Sequence, residues 1–490
     1  MLPRLAAGPV AAVAGVLAAV LTALSGRYGY HRDELYFLVA GRHLAWGYVD
    51  QPPLTPLLAR AGTAVFGDSP AGLRVVATAA AVLTVWIAAL LARETGGGRA
   101  AQVFAAAATA VSAIVLTGGH MVSTVSFDVP AWLVLCLLTA RLLRTGDGRW
   151  YLPIGAVAGL AVLNKYLVVL LLAVLAGSVL LVGPRRLPAG RWLGAGVLLA
   201  LAIAAPNLWW QARHGWPQFS VASGIERGQG GSNRATFVPF QFVYLAPPLA
   251  PIWIAGWLRL WRDPALRPLR LFAVAYPLAA AVVLAAGGKS YYVLPLLIVL
   301  MAAGAEPAVR WAARGRRRGR VLPATLALVA AVNVLTTLPI LPPRDLGPVN
   351  AVNKEQGEQV GWPGLVATVA GAWRRIPADQ RSHAVIYTQN YGEAAAIERY
   401  GSAYGLPRPY SGHMSYGDWG PPPDGANGPV LIVHYPGNSR LTSQFLGCVP
   451  MAVVDNGYDL SNDEQGTVVQ ECAGPIGSWS SRWPALRTYD

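Results

Sequence analysis

Charged side chains are scarce in this chain. They make up only 13% of its 490 residues, whereas 54% are hydrophobic and the mean hydropathy is +0.41. A soluble domain of ordinary composition carries about 25% charged residues. The composition therefore excludes a conventional soluble protein and predicts a polytopic α-helical membrane protein with a polar portion attached.

Lysine and acidic residues are also rare. The chain has 39 lysines and arginines against 24 acids, which gives a net charge of +15. Its lysines are Lys165, Lys289 and Lys354, so almost every cation is an arginine. A basic chain can bind nucleic acid, but here the arginines lie between apolar segments, where they set the orientation of membrane helices. We therefore expect a lipid bilayer and no nucleic acid as a partner.

Cysteine and nucleotide-binding motifs are sparse as well. Cys136 lies in an apolar run and is expected to act as a small hydrophobic residue. Cys448 and Cys472 lie in the polar C-terminal part, where a disulfide can form if that part faces an oxidising compartment; sequence separation alone leaves the pairing open. The sequence contains no P-loop, dinucleotide fingerprint or zinc-type cysteine pattern, so neither nucleotide chemistry nor a structural metal is indicated.

Long apolar runs are what the chain has in abundance. A membrane-spanning helix needs about 20 apolar residues. On this basis the sequence predicts about eleven such helices, and the first is expected to be an uncleaved helix rather than a signal peptide. The predicted segments are 8–26, 71–92, 100–118, 127–143, 150–164, 166–183, 192–210, 240–260, 270–287, 290–305 and 321–341.

Arginine-rich connections alternate with polar ones along this series. Short cytoplasmic connections are enriched in arginine and lysine. The arginine-rich connections are 93–99, 141–149, 183–191, 259–270 and 310–320. If these are cytoplasmic, the loop 27–70 and everything after Pro342 face outward. We therefore predict a plasma-membrane protein whose active site lies outside the cytoplasm.

The chain changes character after Pro342. Short β-like runs at 383–388, 429–435 and 451–456 alternate there with helical stretches. This pattern predicts a small extracytoplasmic α/β domain over residues 343–490, preceded by a transmembrane domain over residues 1–342.

Three acids lie in the loop 27–70, which is unusual in so hydrophobic a chain. Asp33 and Glu34 are adjacent, and adjacent acids in a partly dry site raise each other's pKa, so that one can act as a base near neutral pH. Asp50 precedes Pro52-Pro53, which fixes it at a rigid corner. The alternative is a solvated acidic pair at the membrane interface. Residues 34–40 and 54–66 are expected to form helices lying in the interface plane.

Further ionisable residues fall at the same predicted side of the membrane, where such residues are functional candidates. Asp128 either contributes to a site or simply stabilises a helix start. His120 is a possible metal ligand, acceptor contact or interfacial histidine. Lys289 either snorkels to the interface or, with Lys165, makes a point-charge contact to a phosphate. The glycine-rich segment 211–239 is expected to be a mobile loop over the cavity, in which Glu226 is solvated.

At these residues the chain resembles the bacterial protein-mannosyltransferase-like and aminoarabinose-transferase-like glycosyltransferases, which have the GT-C membrane fold. The matching features lie in roughly residues 1–305. They are the Asp33-Glu34 pair, the segment Tyr48-Val49-Asp50-Gln51-Pro52-Pro53-Leu54, Asp128, the turn Leu163-Asn164-Lys165-Tyr166, and Lys289-Ser290-Tyr291-Tyr292-Val293-Leu294-Pro295.

The resemblance implies inverting transfer of a sugar from a polyprenyl-phosphate carrier to an acceptor hydroxyl on a glycan, lipid or protein. It makes Asp33, beside Glu34, the catalytic candidate, with Asp50 shaping the site. It gives substrate-binding roles to Asp128, Lys165, Lys289, Tyr291, Tyr292 and His120. Gln51 stands where relatives typically carry lysine, and Asp50 where they carry glutamate. This departure leaves the donor sugar and a possible divalent metal open; no other cofactor is expected.

The alternative to an enzyme is a transporter or flippase for a lipid-linked or anionic solute. A transporter predicts charges near the membrane midplane and an internal repeat. The sequence instead gathers its charges near one face and shows no repeat, which favours the glycosyltransferase. A third hypothesis is a membrane-anchored binding protein in which the C-terminal part is functional.

Overall fold

The computed structural model describes residues 2–184 and 190–489, and most of them are helical. The helices of the membrane part are α1 Ala7–Leu24, α2 Arg32–Arg42, α3 Leu54–Phe66, α4 Pro70–Glu94, α5 Arg99–Ala110, α6 Ala113–His120, α7 Thr124–Thr145, α8 Tyr151–Val162, α9 Leu167–Val182, α10 Gly190–Arg213, α11 Pro217–Val243, α12 Ala250–Arg262, α13 Leu271–Ala285, α14 Leu294–Ala312 and α15 Arg316–Thr337. The expected connection 183–191 lies largely outside the described residues.

Six of the described helices are long and apolar enough to cross a membrane: α1, α4, α7, α10, α14 with the turn preceding it, and α15. Two further candidates are bent pairs, α5 with α6 at 59° and α11 with α12 at 67°. Shorter apolar helices are α3, α9 and α13. The chain is thus a multi-pass membrane protein, as the composition predicts, while the number of eleven spans stays a prediction.

The segment 211–239 is not a loop, and that prediction was wrong. Helix α11 covers most of it, beginning at Pro217, the first helical position, after Trp216 in a left-handed conformation. Glycines in this helix allow a close approach to a neighbouring turn: a Cβ on Gly287 would lie 3.0 Å from the Cα of Gly230. Asn233 fastens the contact by donating to the Gly287 carbonyl over 2.9 Å.

Glu226 is exposed, as expected of a solvated charge, and it also forms a surface ion pair. It lies on α11 and pairs with Arg234 at 3.0 Å, with both side chains partly exposed. The pair spans two turns of the same helix and fixes no candidate site residue.

The C-terminal part contains a five-stranded mixed sheet in the order β2-β1-β3-β6-β5. Strand β1 runs parallel to β2 and β3, whereas β6 is antiparallel to β3 and β5. The strands are β1 Val385–Thr388, β2 Tyr410–Ser411, β3 Val430–His434, β4 Phe445–Leu446, β5 Val449–Val453, β6 Val468–Cys472 and β7 Gly474–Pro475, with β4 and β7 forming a separate antiparallel pair. The helices are α16 Gly347–Asn350, α17 Trp362–Trp373, α18 Tyr391–Tyr400, α19 Ser439–Thr442 and α20 Trp479–Leu486. The predicted α/β class is confirmed; the boundary at 342 stays a prediction.

A disulfide joins Cys448 to Cys472, the last residue of β6. It resolves the pairing that the sequence left open. Cys136 is buried and unpaired in α7, as its apolar surroundings indicate.

One hydrophobic cluster joins the C-terminal part to the membrane part. Leu35 and Phe37 of α2 pack in the same buried cluster as Leu365 of α17 and Ile386 of β1. Helix α2 is therefore held between the helix bundle and the sheet. This packing brings side chains of the C-terminal part to the residues that the sequence marks as functional.

Candidate active site

The first turn of α2 places the acidic pair. His31 precedes the helix, and its side chain accepts a hydrogen bond from the backbone N–H of Asp33 over 3.1 Å. The carboxylate of Glu34 accepts from the backbone N–H of His31 over 2.9 Å. This reciprocal arrangement is a capping box, which fixes where the helix begins. It holds Asp33 at a helix N-terminus, a position that favours a negative charge.

Asp33 is held from the C-terminal part of the chain. Its Oδ1 accepts a hydrogen bond of 2.8 Å from the hydroxyl of Tyr391, the first residue of α18. Arg32 Nε lies 3.9 Å from the same oxygen. The Asp33 side chain is 31% exposed. It is therefore oriented by two neighbours yet reachable, as a group that contacts substrate must be.

Glu34 has a different environment. It is fully buried and accepts two bonds from Arg74, at 2.9 and 2.7 Å, and a third of 2.9 Å from the backbone N–H of Val122. His120, also buried, lies 3.3 Å from Arg74 in the same network. The structure thus separates both residues from Asp33. Their contacts position the start of α2, while the catalytic role predicted for Glu34 and the substrate-binding role predicted for His120 stay predictions.

Asp50 lies at a second corner of the site. Tyr36, one α2 turn after Asp33, donates to its Oδ1 over 2.6 Å, and Ser415 of the C-terminal part donates over 3.4 Å. Burial raises the pKa of Asp50 to about 6, the charge of Asp33 adds to this rise, and the Tyr36 hydrogen bond opposes it. Within the described residues, the buried side-chain amide of neighbouring Gln51 has no hydrogen-bond partner, so it is available to a ligand.

The expected cation cluster is present. Lys165 lies in the turn between α8 and α9, with its Nζ 4.6 and 5.4 Å from the ring centroids of Tyr292 and Tyr291. Burial lowers the pKa of Lys165 to about 8; the charge of Lys289 contributes, and that of Asp128 opposes the shift. The structure therefore brings together all five of these predicted substrate-binding residues. Cation–π contacts hold the ammonium while leaving its hydrogens for a ligand.

Glu355 is related both to the start of α2 and to the lysine cluster. No local sequence pattern marks it as a functional residue. It belongs to the C-terminal part and lies 3.0 Å from His31 Nε2. Burial raises the pKa of Glu355, but the contact with His31 and the charges of Arg32 and Lys289 outweigh it and hold this pKa at about 2. An ionised carboxylate thus contacts the start of α2 and is influenced by the charge of Lys289.

Tyr391 and Ser415 were missed as well. One signal for Tyr391 was available, because Asn390 and Glu393 have the spacing of a capping box and mark a helix start directly at this tyrosine. Nothing in the local sequence around Ser415 or Glu355 indicates that either residue reaches the first loop.

A divalent metal remains an untested expectation. In the described ranges, no group of three or more histidine, cysteine, aspartate or glutamate side chains is arranged to hold a metal ion. The residues present therefore do not fit a three-ligand metal centre, and we assign no step to a metal.

Three comparisons with known proteins point in one direction. The family model described as dolichyl-phosphate-mannose-protein mannosyltransferase matches residues 50–210. A curated relative, undecaprenyl phosphate-alpha-4-amino-4-deoxy-L-arabinose arabinosyl transferase 1 of Pseudomonas fluorescens (strain Pf0-1), is 25% identical over 336 residues, 63% of this chain. The match spans 58% of that relative, less than two thirds of its length.

The fold is also that of a solved protein. The crystal structure of ArnT from Cupriavidus metallidurans bound to undecaprenyl phosphate aligns with a TM-score of 0.58 and 19% identity, over 94% of this chain and 97% of that one. Its apo form aligns with the same TM-score and coverage at 17% identity. The resemblance drawn from the acid, lysine and tyrosine motifs is thereby confirmed, and so is the fold class.

Proposed function

We propose that this GT-C-fold membrane protein is a glycosyltransferase that moves a sugar from a polyprenyl-phosphate carrier to an acceptor hydroxyl. The names of the matching family and of the curated relative share such a donor, a sugar linked to a dolichyl or undecaprenyl phosphate. The acceptor is a hydroxyl on a glycan, lipid or protein. From the distribution of arginines, we place the reaction on the extracytoplasmic side of the plasma membrane.

One observation carries the proposal: an oriented, reachable Asp33 shares a site with two lysines. Tyr391 holds the Asp33 carboxylate, and Glu355 contacts His31 at the start of α2 while the charge of Lys289 helps to lower its pKa. A base and a pair of cations are the groups that transfer from a phosphate leaving group requires.

The reaction can be written with these groups. The Asp33 carboxylate takes the proton of the acceptor hydroxyl, whose oxygen forms a bond to the anomeric carbon of the sugar. The bond between that carbon and the phosphate oxygen breaks, and the polyprenyl phosphate leaves with the electron pair. Attack opposite the leaving group inverts the anomeric carbon.

The lysines stabilise the charge that develops on the leaving phosphate. With a pKa of about 8, Lys165 is largely protonated at pH 7 and can donate to a phosphate oxygen. Tyr291 and Tyr292 enclose its ammonium, and Lys289 adds a second positive charge. Asp128 balances this cluster when no phosphate is bound. Asp50, held by Tyr36 and Ser415, shapes the acceptor side.

The test uses membranes containing the full-length protein and a panel of radiolabelled undecaprenyl-phosphate sugars, including mannose and 4-amino-4-deoxyarabinose. Asp33→Asn should reduce sugar incorporation at least 100-fold, since general-base catalysis contributes about 10²- to 10⁴-fold. Lys289→Met should lower kcat as well as raise donor KM, because this lysine is assigned both to the phosphate of the bound donor and to the charge that develops as the phosphate leaves. Asp345→Asn, an exposed acid in a short turn, is the matched control.

Undiminished transfer by folded Asp33→Asn would refute the assignment of the base. If proteoliposomes instead move the labelled lipid across the bilayer without covalent transfer, the protein is a flippase and the proposal fails as a whole.

A further inference from the structure

A positively charged cleft lies at the far end of α2 from Asp33. It has a volume of about 430 Å³ and is lined by Leu38, Gly41, Arg42, Arg60, Thr63, Ala64 and Asp68. Helix α2 has 11 residues, so its two ends are ~15 Å apart. The cleft is therefore distinct from the carboxylates and lysines of the candidate active site.

The two arginines of the cleft form no ion pair, although the charge of Arg42 acts on Glu398 of α18. Within the described residues, neither Arg42 nor Arg60 lies within 4.0 Å of a carboxylate. Across residues 2–184 and 190–489, the one hydrogen bond made by either guanidinium group runs from Arg60 to the carbonyl of Gly41, over 3.3 Å. Both side chains are exposed. Most of their N–H groups thus remain free to donate to an anion.

The acid in the cleft is already neutralised. Asp68 accepts a hydrogen bond of 2.6 Å from Arg399 of α18, and Arg399 also donates to its backbone carbonyl over 3.1 Å. Asp68 therefore cannot balance Arg42 or Arg60. The cleft therefore keeps an excess of positive charge. Small residues, Gly41, Thr63 and Ala64, form part of its lining.

The wall of the cleft borders an apolar surface. Helix α3 supplies Arg60, and the same helix exposes Leu57, Val65 and Phe66. On an amphipathic helix lying in the interface plane, exposed apolar side chains enter the acyl region while the basic residues stay at headgroup level. A ligand reaching Arg60 along this face has an apolar tail and an anionic head.

We infer that this cleft binds the phosphate of an anionic membrane lipid, with Arg42 and Arg60 as the phosphate ligands and the exposed face of α3 contacting its acyl chains. Guanidinium groups form paired hydrogen bonds with phosphate oxygens. Such a lipid would hold α2 and α3 together at the membrane surface. The inference does not depend on the transfer reaction.

Native mass spectrometry of the full-length protein in detergent tests this directly. The protein is titrated with dioleoyl-phosphatidylglycerol or with zwitterionic dioleoyl-phosphatidylcholine. We expect the anionic lipid to bind at least tenfold more tightly. The variant Arg42→Gln/Arg60→Gln should raise the dissociation constant of the first bound phosphatidylglycerol about thirtyfold. Each guanidinium removed accounts for a factor of roughly five to six. Arg213→Gln/Arg227→Gln, which removes two exposed arginines from α10 and α11, should leave it unchanged.

Three results would overturn the inference: equal binding of the two lipids by the wild-type protein, unchanged phosphatidylglycerol binding by the cleft variant, or equal loss in the control variant. Displacement of the lipid by millimolar inorganic phosphate would show that the cleft takes a free anion instead. If the double variant does not fold, the single variants Arg42→Gln and Arg60→Gln replace it, and each should weaken phosphatidylglycerol binding roughly fivefold.

Discussion

Removing the hydroxyl of Tyr391 tests how the C-terminal part contributes to the site. In Tyr391→Phe the ring should remain in place, since it stacks on Tyr36 and His413 with centroid distances of 4.6 and 5.0 Å. The change therefore deletes one interaction, the 2.8 Å hydrogen bond to Asp33. What remains near that carboxylate is Arg32, at 3.9 Å.

The magnitude follows from the kind of bond that is lost. A hydrogen bond to a charged group contributes about 1.5–3 kcal/mol. Asp33 is partly exposed, so water replaces some of the lost interaction and the lower value applies. We expect kcat to fall about tenfold with little change in donor KM. The fall belongs to kcat because the lost hydrogen bond orients the Asp33 carboxylate and does not contact the donor phosphate.

The assay measures initial rates of sugar transfer from a labelled polyprenyl-phosphate donor between pH 5 and 9. Tyr404→Phe is the matched control, since Tyr404 is 41% exposed and lies in the same part of the chain. A Tyr391→Phe enzyme with the kcat of the wild type would refute the claim that Tyr391 orients the base. A rise in donor KM without a fall in kcat would show that the hydroxyl acts elsewhere.

Two further predictions concern stability. Glu34→Gln should lower the free energy of unfolding by about 3–5 kcal/mol, because it leaves Arg74 buried with reduced compensation. Thermal unfolding in detergent measures this loss. The matched control is Glu226→Gln, which removes one charge from the exposed ion pair with Arg234 and should cost less than ~1 kcal/mol. Folding raises the pKa of Asp50 from 3.8 to about 6. The contribution of Asp50 to the free energy of unfolding is therefore fully present below pH ~4. Up to ~3 kcal/mol of it is lost as the pH rises through 6, because the buried carboxyl must then ionise. The difference in Tm between Asp50→Asn and the wild type should therefore increase in favour of the variant between pH 4.5 and 7.5. A difference that does not change with pH would contradict burial as the cause of the raised pKa.

The helical part of the fold could be predicted because its signal is local. Apolar runs of sufficient length and arginine-rich breaks marked the helices, and the acids of the first loop and the two lysines marked the site. Arg74 lies within the predicted apolar segment 71–92 and was not identified as a functional candidate. Its role as partner of Glu34 depends on the packing of α4 against α2, which no local pattern encodes.

The remaining errors have a common physical origin. The glycines of α11 were taken as signs of mobility, whereas they permit close contact with the turn at Gly287. Tyr391, Ser415 and Glu355 lie more than 300 positions from the acids that they contact or approach. Spacing along the chain carries no information about contacts at that separation.

The packing of α2 against the C-terminal sheet also has a consequence for biosynthesis. Asp33 is inserted into the membrane early, but its partner Tyr391 is translated 358 residues later (391 − 33). At about 5–20 residues per second, the delay is on the order of 20–70 s. During that interval the apolar face of α2 lacks its cover, and the orientation of Asp33 is incomplete. A nascent chain should therefore acquire activity only after its last third has been translated and folded, so premature termination would leave an inserted but idle helix bundle.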